Sequence, residues 1–325
     1  MRYVLRRLLR ALLLLMGVSA FCFLLSTMAP GGFFDEMREN PQISPETISV
    51  LRARYGLDQP LTMRYAKWVV AAAHGDLGYS IAYNAPVAPL LRQRVKNTLL
   101  LTTTAMCLTW LIAVPLGVWS AACRRRWVDR LIGTGASFLI SVPEVVMAVG
   151  LLAWAVRSRA LALGGMTDID FEQLSWPAKI HDVASHLMLP VLMLALGGTP
   201  VILRHVRASV AELLEAPFVQ AARGLGIDQR RIMFRHVLPV AANPAISLFG
   251  LSVAGLLSGS LLVEVLTGWP GLGPLLLDAA LSRDLFLLTG AILFSAVFLA
   301  TGNFLADVLL FASDPRIGRG GADAT

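Results

Sequence analysis

LLLTTTAMCLTWLIAVPLGVWSAAC, from Leu99 to Cys123, runs for 25 residues without a charge. The hydrocarbon layer of a bilayer is roughly 30 Å thick and takes about 20 helical residues to cross, so this stretch is long enough to span it. Five more apolar runs lie on either side of it: Ala11–Ala29, Leu131–Val156, Leu187–Leu203, Ala241–Val263 and Leu285–Phe311. Only Glu144 interrupts the second of these with a charge. A segment in lipid must satisfy its own backbone hydrogen bonds, so all six read as helices. Pro115, Pro143, Pro190 and Pro244 fall within or at the edges of the runs, where each frees a carbonyl and predicts a kink. Composition agrees. The chain is 56% hydrophobic and 15% charged, with a mean hydropathy of +0.66; soluble domains average about 45–50% and about 25%. The expected fold class is all-α, a polytopic membrane protein with six transmembrane helices.

Orientation follows from arginine placement. Arg2, Arg6, Arg7 and Arg10 precede the first run, whose length exceeds the 7–15-residue core of a signal peptide, so an uncleaved first span is expected. The segments then assigned to the cytoplasm hold Arg124, Arg125, Arg126 and Arg130, then Arg204, Arg207, Arg223, Arg230, Arg231 and Arg235, and finally Arg316 and Arg319. The short external segments hold only Arg157, Arg159, Lys179 and Arg283. Residues 30–97 are also basic, but loops of that length translocate largely regardless of charge. Both termini are therefore expected in the cytoplasm, with the chain in the inner (plasma) membrane. The pI near 9.8 reflects this topology and anionic lipid headgroups, not a nucleic-acid partner. Cys22, Cys107 and Cys123 lie within or at the inner end of spans and predict no disulfide.

Four segments follow. Residues 1–29 hold the cytoplasmic N-terminus and the first helix. Residues 30–97 form an external helical insertion, with Ser44 capping and Pro45 opening an amphipathic helix over Thr47–Tyr55. Gly56 ends that helix, Asp58-Gln59-Pro60 turns, a second helix runs through Trp68, and His74–Gly78 is a loop. Residues 98–311 form a five-helix core, and 312–325 a cytoplasmic tail. Within the core, cytoplasmic loop 204–239 is long for a bundle connection yet helical and amphipathic. Gly224 and Gly226 divide it into helix, sharp turn, helix, as a docking platform would be. None of the three lysines, Lys67, Lys96 and Lys179, follows a glycine, so no phosphate-binding loop exists and the chain is expected to be non-catalytic. His205 and His236 flank the inner loop without metal-ligand spacing, and no metal site is expected.

Gln220-Ala221-Ala222-Arg223-Gly224-Leu225-Gly226, with Leu238-Pro239 twelve residues beyond, resembles the signature loop of ABC-importer permeases: Glu-Ala-Ala, three residues, Gly, then a spacer to Leu-Pro. Gln220 stands where Glu is usual and His236 where Ile is usual. The earlier Glu215-Ala216 pair misses both the glycine and the Leu-Pro. A helix entering a partner's groove needs small side chains on its leading face, and Gly226 permits a tight reversal because glycine accepts positive φ at little cost. Further stretches resemble the dipeptide, oligopeptide and nickel branch of these binding-protein-dependent inner-membrane components, in the family's order and over nearly the full length. They are Tyr55–Pro60, Gly75–Ser80, Asn97–Leu100, Ser141–Pro143, Pro270–Gly273, Arg283-Asp284 and Asp314–Ile317. Pro30-Gly31-Gly32 departs mildly from the usual Pro-Gly-Asp.

The resemblance implies a type I permease fold with an external insertion after the first span. It implies a second homologous permease subunit, two cytoplasmic ATP-binding subunits docked through the inner loop, and a periplasmic or lipid-anchored substrate-binding protein. ATP would be used by those partners, with no cofactor on this chain. Dipeptides and oligopeptides are the implied substrates, and nickel or a metal chelate is the alternative. A stand-alone secondary transporter would need more spans or an internal repeat, and the sequence shows neither. Glu144, beside the Pro143 kink, is a candidate for lining the translocation path. Pro270, Gly271 and Gly273 form either an external gate or binding-protein contact, or a rigid turn. Glu264 reads as interfacial, and Asn303 and Asp307, four apart, as inter-helix contacts.

Overall fold

The computed structural model describes residues 2–28, 46, 59–123 and 126–313. The Ser44 cap, the Thr47–Tyr55 helix, Pro30-Gly31-Gly32 and Asp314–Ile317 lie outside these residues. The described chain is helical over every apolar run: α1 (Arg2–Met28), α2 (Leu61–Ala73), a hairpin of β1 (Tyr79–Ser80) and β2 (Ala85–Pro86), α3 (Val87–Ala122), α4 (Arg126–Ser141), α5 (Glu144–Ser158), α6 (Trp176–Glu215), α7 (Pro217–Gly224), α8 (Gln229–Ile232), α9 (Leu238–Thr267), α10 (Leu272–Leu281) and α11 (Leu285–Ser313). A π-helical turn at Met233–Val237 joins α8 to α9.

By length and composition, α3, α6, the continuous stretch Gln229–Thr267 and α11 can each cross a membrane, and α4 with α5 make a fifth span if counted together. The apolar part of α1, Leu9–Leu25, is shorter. The run Leu131–Val156 is thus not one straight helix: Trp127–Ser141 and Glu144–Ser158 are bent by 100°. Pro143 lacks an N–H and pushes the preceding residue away from the α region. Helix α4 closes with Val142 N–H donating to the Leu139 carbonyl at 3.3 Å. Pro143 itself is extended, at ψ 138°, and its carbonyl accepts from Val146 and Met147 to start α5. Pro115, Pro190 and Pro244, by contrast, sit inside continuous helices.

The chain divides into two compact units, Met1–Thr98 with Pro270–Phe298, and Leu99–Trp269 with Leu299–Thr325. In the first, α2 lies against α1 through Phe23, whose ring centroid is 5.2 Å from Trp68 and 5.4 Å from Tyr65. The Tyr65 hydroxyl donates to the Met16 carbonyl at 2.9 Å. Gly75 and Gly78 take positive φ of 88° and 94° to turn the chain into the hairpin, which pairs Tyr79 with Pro86 and Ser80 with Ala85.

Asp284, only 1% exposed, holds that hairpin in place. Its carboxylate accepts from Ser80 Oγ at 2.7 Å, from Ala82 N–H at 3.2 Å and from Leu287 N–H at 3.1 Å, the last capping α11. Nearby, the Tyr83 hydroxyl donates to Asp278 at 2.7 Å; burial, then this hydrogen bond and the negative charge, push the phenol up to about 12. Asp284→Ala leaves the buried donors unpaired and is expected to cost about 1–3 kcal/mol, with faster proteolysis at the hairpin in detergent. An unchanged melting temperature and proteolysis rate would count against this latch.

In the second unit α6 is the spine. Ile202, Leu203, Val206 and Val210 of α6 share a buried core with Val219 of α7, Ile232 of α8 and Val237 of the π-turn. Arg207 of α6 forks both guanidinium arms onto Asp129 of α4, Nη2 to Oδ2 at 2.6 Å, and Ser120 Oγ also donates to that carboxylate. Trp110 of α3 donates to Ser252 Oγ of α9 at 3.2 Å. Glu264, expected at the interface, is instead fully buried in the last turns of α9.

Candidate functional site

The inner loop forms a short elbow. Ala216 leaves the helix at ψ 147° and Pro217 restarts it as α7, where a missing N–H costs nothing. The Gln220 side-chain amide donates to the Glu215 carbonyl at 3.0 Å, helping to cover the open end of α6. After Gly224 the chain reverses. Gly226 N–H donates to Arg223 O and Ile227 N–H to Ala222 O, with Gly226 at φ 74°. Asp228 then caps α8 by accepting from Arg230 N–H at 3.0 Å.

Val219 is buried and Ala222 packs against the inner core, with Ile227 and Leu238. Gln220, Ala221, Arg223, Gly224 and Gly226 face outward, as does Pro239. The Ala221-Ala222 pair, expected to share one leading face, is therefore split between solvent and core. Leu225, in the elbow, and Phe234, in the π-helical turn, are 80% and 70% exposed.

The Pro143 break positions the second element. Glu144 opens α5 and lines a cavity of about 260 Å³ with Thr109 of α3, Gly197 and His205 of α6, and Gly255 and Gly259 of α9. Glycine makes the room. A Cβ built on Gly197 would lie 3.2 Å from Glu144 Oε1, and one on Gly259 would lie 3.4 Å from Oε2. The buried Thr109 hydroxyl also lines this space, with no hydrogen-bond partner among the described residues. The Glu144 carboxylate, the His205 imidazole and the Thr109 and Ser252 hydroxyls set several polar groups in a mostly apolar lining, which suits a watered cavity better than a packed core. Sequence reasoning identified Glu144 but not the glycines facing it; the Gly197-Gly198 doublet inside an apolar run and Gly255/Gly259 at helical spacing were the available signals.

At Pro270–Gly273, Asn97 Nδ2 donates to the Pro270 carbonyl at 2.8 Å and Leu272 N–H donates to Thr98 Oγ1 at 2.8 Å. Gly271 and Gly273 are buried and Pro270 half-buried. These bonds and the burial of both glycines pin the turn. The segment leads into α10, a helix lying between two of the apolar runs.

Long apolar helices, one broken beside a carboxylate-lined cavity, with a small-residue elbow on the same compact unit, define a transport permease. The chain belongs to the family of binding-protein-dependent transport system inner membrane components, whose sequence profile matches residues 113–319, while the companion N-terminal profile matches residues 1–102. It is 33% identical over 317 residues to the oligopeptide transport system permease protein AppB of Bacillus subtilis, covering 97% of this chain and 98% of that protein. It is 34% identical over 320 residues to the glutathione transport system permease protein GsiC of Escherichia coli, covering 98% and 99%. Among solved structures, the inward-facing MetNI methionine ABC transporter superimposes with a TM-score of 0.55 at 17% identity, over 69% of this chain and 96% of that one. That likeness shows the fold. The protein is a multi-pass membrane permease of a binding-protein-dependent ABC importer.

Proposed function

We propose that the chain conducts short peptides inward across the inner membrane, with both termini in the cytoplasm, and that it hydrolyses nothing itself and carries no cofactor. Near full-length similarity to permeases named for oligopeptide and glutathione transport supports the substrate class; nickel or a metal chelate has no comparable support among them. The energy comes from ATP on two cytoplasmic subunits. A second homologous permease completes the path, and a periplasmic or lipid-anchored binding protein delivers substrate.

Gln220, Ala221, Ala222, Arg223, Gly224 and Gly226 form the coupling elbow, and Leu238-Pro239 anchors its return. The observation that carries this reading is that Val219, Ile232 and Val237 are buried in one core with α6, the helix that also lines the Glu144 cavity. Docking against the exposed face of α7 then acts on α6 as well. A partner whose contacts with the elbow differ between two states shifts the equilibrium of the cavity helices by that difference.

Reconstitution with the partner subunits in proteoliposomes tests it. Short peptides delivered by the binding protein should stimulate ATP hydrolysis and accumulate inside, and stimulation by nickel alone would overturn the substrate assignment. Gly197→Val puts a branched side chain into the cavity beside Glu144, displacing that exposed, flexible carboxylate, and is expected to cut uptake at normal membrane abundance. Undiminished uptake would remove this cavity from the path.

A further inference from the structure

The loop after α5 and the start of α6 bring together three side chains that the transport mechanism does not use. Asp182 and His186 sit one turn apart on α6, and Asp168 approaches from the loop, with one ligand-capable atom of each within 4.8 Å of the others. His186 is almost entirely buried, its side chain 5% exposed. Its Nδ1 lies 2.9 Å from the Asp182 carbonyl oxygen. A carbonyl can only accept, so Nδ1 carries a proton, and in the neutral imidazole Nε2 then presents its lone pair. Among the described residues Nε2 has no hydrogen-bond partner, and it faces Asp168 Oδ1 at 3.9 Å, too far for a hydrogen bond.

We propose that Asp168, Asp182 and His186 form a binding site for a divalent transition cation of the zinc class. One imidazole nitrogen and two carboxylate oxygens suit such a cation better than magnesium or calcium, which favour all-oxygen shells. Zinc–nitrogen and zinc–oxygen bonds of about 2.0–2.2 Å place tetrahedral ligands about 3.4 Å apart, so closure asks for an inward movement of atoms that lie within 4.8 Å of one another. Asp168 can supply it, being 77% exposed on a loop. The rest of the site is braced. The Asp168 N–H donates to Asp182 Oδ2 at 3.1 Å, while Asp182 Oδ1 lies 3.4 Å from His186 Nδ1 and must turn toward Nε2 to reach the metal; the Asp182 side chain is 8% exposed. The Nδ1–H bond to backbone fixes the ring, as an outer-shell partner does for metal-bound histidine. Lys179, the lysine on the same helix, pairs with Glu172 and sits over the Phe171 ring. Water would complete the coordination.

The loop holding Asp168 is also tied to the end of α9, where Gly165 N–H donates to the Thr267 carbonyl at 3.2 Å. A bound cation would therefore clamp the α5–α6 loop to α6 close to where α9 ends.

The test uses the full transporter in lipid nanodiscs, purified through a tag without histidines and stripped with chelator. Calorimetric titration with zinc should show one saturable equivalent per copy of this chain, weakened about tenfold or more in His186→Gln and Asp182→Asn. X-ray absorption of the zinc-loaded protein should report an oxygen and nitrogen shell with a single imidazole. Asp168→Asn alters an exposed side chain, so its folding is not at issue, and it too must weaken zinc. Absence of saturable zinc binding, or affinity unchanged in His186→Gln and Asp168→Asn, overturns the proposal.

Discussion

Replacing Gly226 with valine is expected to abolish ATP-dependent uptake while the protein remains inserted in the membrane at normal abundance. The effect is a backbone effect. Gly226 sits at φ 74°, where an L-residue pays roughly 1–2 kcal/mol and a β-branched one more. A Cβ there meets no described atom within 4 Å, so crowding contributes nothing. To relieve the strain the turn must rotate, and the Gly226 N–H to Arg223 and Ile227 N–H to Ala222 bonds that close α7 would open. Val219 and Ile232 would stay anchored in the core, so the unit persists while the outward face of the elbow is lost.

Two controls separate this from general damage. Gly226→Asn, which tolerates left-handed backbone, should retain much of the uptake. Gly224→Ala, at a helical position with open space around it, should be nearly silent. ATPase subunits should co-purify poorly with Gly226→Val alone. Wild-type uptake in that variant would displace the coupling turn from this position.

Gly302→Leu is expected to be the most damaging single change to the second unit itself. A Cβ built on Gly302 falls 2.5 Å from Val253 Cγ1, 2.9 Å from its Cβ and 3.0 Å from Cγ2. Valine in a helix has essentially one rotamer and cannot swing aside. Helices α9 and α11 must separate, and they meet again one register on, where a Cβ on Gly250 would lie 2.7 Å from Asn303 Oδ1. Small residues let membrane helices approach this closely, and close packing is what holds them together where lipid offers no hydrophobic drive. Overpacking costs about 1–3 kcal/mol or more, enough to remove most monodisperse protein from a mild-detergent preparation. Gly150→Leu, at a helical glycine with nothing within 4 Å, should fold normally. Val253→Ala should partly rescue Gly302→Leu, because the two sites share one contact. No rescue would mean the helices meet elsewhere.

Six apolar runs, a basic elbow with its glycine turn, and the family they resemble were readable from the chain alone. Each rests on a local property: the length needed to cross lipid, the backbone freedom of one glycine, the order of short motifs. Pro143 marks where that kind of reading stops. It breaks its run by 100°, whereas Pro115, Pro190 and Pro244 ride inside unbroken helices, and nothing local to a proline tells which will happen. Neighbouring helices decide whether the freed carbonyl is covered.

The same holds for contacts across long sequence separations. Asp284 finds Ser80 across 204 positions, Gly197 and Gly259 make space for Glu144, and Glu264 is buried at the end of a helix whose sequence suggested an interface. Asp182 and His186 are neighbours by helical spacing, but Asp168 joins them only because the loop folds back. Periodicity and composition encode which segments become helices. Which side chains share a cavity or a cluster depends on how those helices pack, and only the assembled structure carries that.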